Sequence, residues 1–233
     1  MISVVCPVYN EKDNIKKTFD NLLAFIKTPI EVLVIYDTED DNTIEETKRI
    51  SAEYPFVIRL IKNKFGKGVL NAIRTGFEEA KEEAVLVIMA DLSDDLSIVD
   101  RMYELIKNND YDIVCGSRYM RGGRQIGGPL FKKTLSRVAG ISLRYLTGIP
   151  THDVTNSFKM YKKSLLGEIN IESQGGFEIG MEIVVKAFLI GKKITEVPSV
   201  WKDRTSGKSN FKLWKWMPSY LKWYFLAFKK FFK

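Results

Sequence analysis

Short runs of valine, isoleucine and leucine alternate, through the first half of the chain, with longer segments whose apolar residues recur every three or four positions. The short runs predict buried strands and the longer period predicts amphipathic helices. Strands are expected at Ile2–Cys6, Ile30–Tyr36, Phe56–Ile61, Ala84–Met89 and Asp112–Cys115, with helices at Lys12–Ile26, Thr43–Glu53, Gly68–Lys81 and Ser97–Lys107. Asn10 stands where the first helix would take its N-cap. Such alternation is the pattern of βαβ units on a single, mainly parallel, Rossmann-like sheet flanked by helices, an α/β fold. Ligands of these sheets bind beyond the carboxyl ends of the strands, so the residues just after Cys6, Tyr36, Met89 and Cys115 are the first to inspect.

After Cys115 the pattern changes. Gly116–Gly128 is rich in glycine and arginine and reads as a loop, and Leu130–Leu146 reads as a basic amphipathic helix. From Phe211 to Lys233 the chain is crowded with tryptophan, tyrosine and phenylalanine, while Lys212, Lys215, Ser219, Lys222, Lys229 and Lys233 gather into one polar stripe on a helix. Pro218 is expected to kink or divide that helix. The chain is thus divided into a domain at 1–210 and an aromatic, basic segment at 211–233 that suits a membrane surface. The plainer alternative is that these rings cap the domain core.

A length of 233 residues suits one substantial domain with an appendage, and the net charge of +7 points to an anionic partner. A membrane surface or a phosphorylated substrate fits better than nucleic acid, because no recognition motif accompanies the lysines. The two cysteines, Cys6 and Cys115, lie in strand-like runs and are expected to be reduced core residues. No secretory leader and no run of eighteen apolar residues is evident, which places the expected location in the cytoplasm, peripheral to the membrane.

Acidic residues cluster where strands should end. Asp37, Asp40 and Asp41 follow one, and Asp91, Asp94 and Asp95 another. Carboxylates so placed either hold a divalent cation against a diphosphate or cap the helices that follow. Gly66, Lys67 and Gly68 precede a helix, where backbone N–H groups and a lysine can approach phosphate. Neither the Walker spacing nor a GxGxxG fingerprint is present. Arg118, and Lys132 with Ser136 on one helix face, form a basic group after the fifth strand.

The ordered set CPVYNEKDNI, VLVIYDTEDDNT, NKFGKGVLNAIRTGF, VIMADLSDD, IVCGSRYMRGG, THDVTNSFKMYKK and EVPSVWKDRTSGKSNF resembles the inverting family-two glycosyltransferases of the GT-A fold. The likeness covers about residues 1–210 and is greatest to dolichyl-phosphate mannose synthases and bacterial polyprenyl-phosphate glycosyltransferases. It implies a UDP- or GDP-linked sugar donor, a polyprenyl-phosphate acceptor and a Mg2+ or Mn2+ ion. A non-lipid acceptor, or nucleotide-sugar binding without catalysis, is the alternative.

By position the resemblance puts Pro7, Tyr9, Asn10, Glu11, Asp37, Lys67, Asp91 and Lys208 at the nucleotide-sugar, with Asp91 and Ser93 at the metal. Arg118, Lys132 and Ser136 become the clamp for the acceptor phosphate. Asp91, Asp153 and Arg204 become the catalytic group, Asp153 opening a D-x-T-x-x-F motif with Thr155 and Phe158, and Glu182 lies on a helix beneath the site. The lone histidine, His152, is read as a surface or capping residue. Two departures stand out: Met89 replaces the first aspartate of an expected pair, and Tyr36 replaces one ahead of Asp37. A thioether is a poor ligand for a hard cation, so Asp94, Asp95 or water would have to serve instead.

Overall fold

A computed structural model describes residues 1–203 and 213–232. Nine strands and eight α-helices follow in order among them: β1 (Ile2–Pro7), α1 (Lys12–Phe25), β2 (Ile30–Tyr36), α2 (Asn42–Ile50), β3 (Val57–Lys62), α3 (Val69–Glu79), β4 (Ala84–Val87), α4 (Val99–Lys107), β5 (Ile113–Ser117), β6 (Arg124–Ile126), α5 (Leu130–Thr147), β7 (Lys159–Lys162), α6 (Lys163–Glu168), α7 (Ile179–Leu189), β8 (Ile194–Pro198), β9 (Val200–Lys202) and α8 (Leu213–Leu226). The five expected strands and their helices are all present, with ends displaced by one to three residues, the largest at α2, which stops at Ile50 rather than Glu53.

The main sheet has seven strands in the order β3-β2-β1-β4-β7-β5-β8. Every pairing is parallel except those of β7, which runs antiparallel between β4 and β5. That reversal matters for function. The start of β7 lies in register with Val87 and Cys115, so the segment entering it reaches the same edge as the carboxyl ends of its neighbours. Two hydrophobic clusters cover the sheet faces, one built on α1 and α4, the other on α3, α7 and the C-terminal helix. Cys6 and Cys115 are free and fully buried, with burial pushing the Cys115 thiol up to about 12.

Asn10 does not cap α1. It takes a left-handed backbone (φ 57°) and its N–H donates to both oxygens of Asp41 at 3.2 Å, while Glu11 occupies the cap position without a side-chain cap bond. Asp41 caps α2 instead, accepting from the Thr43 N–H at 2.9 Å.

Pro218 does not divide α8, which runs through it. The aromatic residues of this helix are shared between two sides. Trp223 is 1% exposed, donates its indole N–H to Ser173 Oγ at 3.0 Å, and lies under the ammonium groups of Lys186 and Lys222. Trp216 packs edge-on against Phe177. For these two rings the plainer alternative holds, since they close the core around α7. Leu221 and Phe225 point outward. Arg204 and Lys208, with Phe211 and Lys212, lie outside the described residues.

Removing the Trp223 ring leaves a cavity between α7 and α8, so Trp223→Ala should cost about 3–5 kcal/mol. Urea denaturation checks the cost, and faster proteolysis at the C-terminal helix should accompany it.

Candidate active site

Carboxyl ends of β1, β2 and β4 supply one half of the candidate site, where the sequence expectation puts the nucleotide-sugar. Beyond β1 and β2 a cleft of about 210 Å³ is lined by Tyr9, Asn10, Asp37, Thr38, Asp40, Asp41 and Lys67. Four of the expected nucleotide residues, Tyr9, Asn10, Asp37 and Lys67, thus line one cleft; Pro7 and Glu11 are near them in sequence but are not among its lining residues. Asp37 organises the far side: its carboxylate accepts from Asn63 Nδ2 at 2.9 Å and from the Gly68 N–H at 2.9 Å, bending the Lys64–Gly68 loop over the cleft. Gly68 takes φ 108°, a conformation open to glycine, which lets that loop enter α3 directly. A larger hollow of about 490 Å³ lies at the opposite ends of β5 and β8, by Tyr111 and Lys193, away from these groups.

After β4 the chain turns sharply through Asp91–Asp95. Asp91 Oδ1 accepts from the Ser93 N–H at 3.2 Å, and Asp94 Oδ2 from the Met89 N–H at 2.9 Å. Asp95 has two structural duties: it caps the turn at Ser97 and accepts from the Val200 N–H, pinning β9. Burial, and then the Asp91 charge, push the Asp94 carboxyl up to about 7. A buried carboxyl beside a second carboxylate makes a place where a cation would be welcome. Among the described residues, however, no group of three or more His, Cys, Asp or Glu is arranged to hold a metal. Met89 provides no hard ligand, and the Ser93 residue is 3% exposed. These residues fit an ion shared with a ligand's phosphates and water, not a cage of protein ligands.

The other half of the candidate site is built on β5 and the turn that enters β7. Arg118 follows β5 directly and meets the fully buried Asp153 in a two-pronged pair, Nε to Oδ2 at 2.7 Å and Nη2 to Oδ1 at 2.9 Å. The same Nη2 reaches Ser136 Oγ at 3.0 Å and Thr155 Oγ1 at 3.2 Å, and the two hydroxyls lie 2.5 Å apart. Burial works to raise the Asp153 pKa; the Arg118 charge and hydrogen bonds, with Lys159 behind them, outweigh it and hold the carboxyl below its ordinary range. Tyr119 completes the group by hydrogen bonding to Ser136 Oγ at 2.9 Å.

Helix α5 reaches this turn because residue 140 is glycine. A Cβ there would lie 2.0 Å from the His152 carbonyl oxygen. His152 itself belongs to the scaffold: with Thr151 it is held by Glu196, whose carboxylate sits 2.5 Å from Nδ1 and accepts the His152 N–H at 2.8 Å. Glu182 is likewise a tie, accepting backbone N–H groups from Glu172 and Ser173. The structure therefore unites Arg118, Ser136 and Asp153, with Lys132 one turn away on the same helix. Tyr119, Asn156 and Glu196 were not singled out by sequence. Asn156, which donates to the Gly116 carbonyl at 2.8 Å, was visible only as a member of the D-x-T motif's neighbourhood.

A parallel α/β edge with an acidic cleft, an Asp91 turn and a buried Arg–Asp fork agrees with comparison to known proteins. The sequence pattern of Glycosyl transferase family 2 matches residues 3–169. The chain belongs to this family. A dolichol-phosphate mannosyltransferase of Pyrococcus furiosus is 32% identical over 91% of this chain, which spans 59% of that relative's length. An undecaprenyl-phosphate mannosyltransferase of Micrococcus luteus is 30% identical over 89% of this chain and 86% of its own. Among solved structures, glucosyl-3-phosphoglycerate synthase from Mycobacterium tuberculosis, with Mn2+, uridine diphosphate and glucosyl-3-phosphoglycerate, aligns at TM-score 0.68 and 14% identity, over 99% of this chain and 79% of that one. That likeness establishes a GT-A-like fold.

Removing the guanidinium leaves a buried carboxylate unpaired, so Arg118→Ala should lose about 3–5 kcal/mol at pH 7. Because Asp153 is held below its unfolded pKa, its contribution is present above about pH 4 and is lost as the pH falls further. The gap between wild type and Arg118→Ala in urea midpoint should therefore narrow from pH 7 to pH 3. Gly140→Ala should lower the melting temperature as α5 is pushed from the His152 turn, which thermal denaturation checks.

Proposed function

We propose that this glycosyltransferase moves a sugar from a UDP- or GDP-linked donor to a polyprenyl phosphate of the dolichyl type, with inversion, while resting peripherally on the cytoplasmic face of a membrane. The observation that carries the reading is the Arg118 cluster: a guanidinium oriented by a buried carboxylate and flanked by two hydroxyls, two strands along the edge from the Asp91 turn. Such a fork suits phosphate oxygens. The names of the Pyrococcus and Micrococcus relatives support the same acceptor class.

A phosphate monoester has a second pKa of about 6, so its oxygen is already largely ionised at neutral pH. It attacks the anomeric carbon directly; the new oxygen–carbon bond forms as the bond to the nucleoside diphosphate breaks on the opposite face, and the configuration inverts. No strong general base is needed. Arg118, Ser136 and Lys132 hold the acceptor, Asp153 keeps Arg118 aimed, and Tyr9, Asn10, Asp37 and Lys67 hold the nucleotide. Asp91, with Ser93, would hold a magnesium or manganese ion, which offsets the charge of the diphosphate when bound. Arg204 and Lys208 are assigned the same task on the leaving group.

The acceptor's lipid tail accounts for the apolar surface beside the clamp. Phe131, Val138 and Tyr145 step by seven along the outer face of α5 and are at least half exposed. Ser142 and Tyr224 hydrogen bond at 2.9 Å, joining α5 to α8 and setting Leu221 and Phe225 beside this stripe. Arg137 and Lys222 are among its exposed neighbours in sequence. Rings at headgroup depth with cations around them describe an interfacial surface. No described helix is long and apolar enough to cross a membrane.

Incubation with radiolabelled UDP- and GDP-sugars and polyprenyl phosphate in detergent should label the lipid from one donor. EDTA should reduce the labelling and manganese or magnesium restore it, because Asp91 alone is a weak site without nucleotide. Labelling of a water-soluble acceptor in place of the lipid would refute the acceptor assignment.

A further inference from the structure

Behind the Arg118–Asp153 pair lies a buried cation to which the proposed chemistry gives no role. Lys159 opens β7 and is fully buried, in a run where Phe158, Met160 and Tyr161 are buried too. A leucine would suit the hydrophobic pattern there. Burying an ammonium costs several kcal/mol unless it is bonded and paired.

Its head group ends at one turn. Nζ donates to the carbonyl oxygens of Val154, at 3.2 Å, and of Asn156, so it grips the backbone on both sides of Thr155. This turn begins at Asp153, whose Oδ1 accepts from the Asn156 N–H and the Thr155 hydroxyl, each at 3.2 Å, as well as from Arg118. Helix α7 closes the far side through Gly180, where an added Cβ would touch Nζ at 3.5 Å. Lys159 thus sets the path of the residues that aim the guanidinium.

Charge gives it a second role. Arg118 and Lys159 are two cations, and Asp153 is the one carboxylate bonded between their turn and the guanidinium. The Cys115 thiol beside Lys159 is neutral at physiological pH, its pKa having been raised by burial to about 12. Although burial lowers the Lys159 pKa, Arg118 and Lys159 together set two cationic groups against the one carboxylate of Asp153. An arriving phosphate would balance that excess.

We propose that Lys159 is a positioning residue for the acceptor phosphate: it fixes the Val154–Asn156 turn through two carbonyls and supplies the unbalanced charge that the phosphate meets at Arg118. This rests on the polyprenyl-phosphate reading given above. The ammonium touches no substrate. Its effect is felt through Asp153 and Arg118.

The test compares wild type, Lys159→Gln and Lys159→Arg, varying polyprenyl phosphate at saturating donor and measuring nucleoside diphosphate affinity by calorimetry. Glutamine keeps a hydrogen-bond donor and loses the charge; arginine keeps both. Loss of a unit charge several ångströms away, at an effective dielectric of about 20, should raise the acceptor KM of Lys159→Gln by on the order of tenfold. Its nucleotide affinity should stay within about twofold of wild type, and Lys159→Arg should recover most of the acceptor KM. A purely structural lysine would instead lower kcat, nucleotide affinity and melting temperature together. That outcome, or an unchanged acceptor KM, overturns the proposal. If Lys159→Gln does not fold, Lys159→Arg decides alone: folded with a near-wild-type acceptor KM it supports the proposal, and folded with a strongly raised one it overturns it. A wild type that labels no polyprenyl phosphate fails the acceptor reading and this inference together, whereas labelling with no change in the variants fails only the inference.

Discussion

The buried pair between Arg118 and Asp153 is the constraint on which the site depends. Asp153 is fully buried and can remain ionised only while the guanidinium lies against it. That requirement draws together elements far apart in sequence: the end of β5, the turn into β7, and α5 through Ser136. The surrounding devices serve the same end. Gly140 admits α5, Glu196 fixes Thr151 and His152, and Asn156 locks the turn to Gly116. An ion pair at this depth contributes little net stability and much definition, because every alternative packing strands a charge.

The antiparallel β7 explains why the Arg118 group stands where it does. In an all-parallel sheet each strand delivers only its carboxyl end to the binding edge. Reversing one strand delivers an amino end there as well, and with it the 151–158 segment between β4 and β5. The Asp91 turn and the Arg118 group become neighbours on one edge, close enough that the Arg118 charge acts on Asp94.

The first half of the fold was legible in the sequence because each βαβ unit is local, and periods of two and 3.6 separate its strands from its helices. β7 to β9 were not. They are three to five residues long, and β7 carries a buried lysine that breaks its apolar run. For the site, the ordered motifs identified Arg118, Ser136 and Asp153, which the structure unites. Periodicity carries no information about which carboxylate faces which donor, so Asp41 and Asp95 looked equal to Asp91 and Asp94 until the helix and turn caps were seen. The aromatic segment shows the same limit: composition counts rings, and only packing divides Trp216 and Trp223, turned inward, from Phe225, turned out.

Charge along the edge sets what a nucleoside diphosphate, if bound there as proposed, would still need. Asp37, Asp40, Asp91 and Asp94 face or flank the place proposed for a nucleoside diphosphate, and Lys67 is the one cation lining the described cleft. Two anionic phosphates do not enter such a field unaided, since unit charges a few ångströms apart repel strongly in a protein environment. Asp94 relieves part of the repulsion by rising toward neutrality, and what remains requires positive charge from outside the described cleft. In the proposed function, a divalent ion on Asp91 and the cations of Arg204 and Lys208 would be two sources that add. With Met89 in place of one carboxylate, the ion's share would be smaller than a paired-aspartate site gives, and the share of the arginine and lysine correspondingly larger.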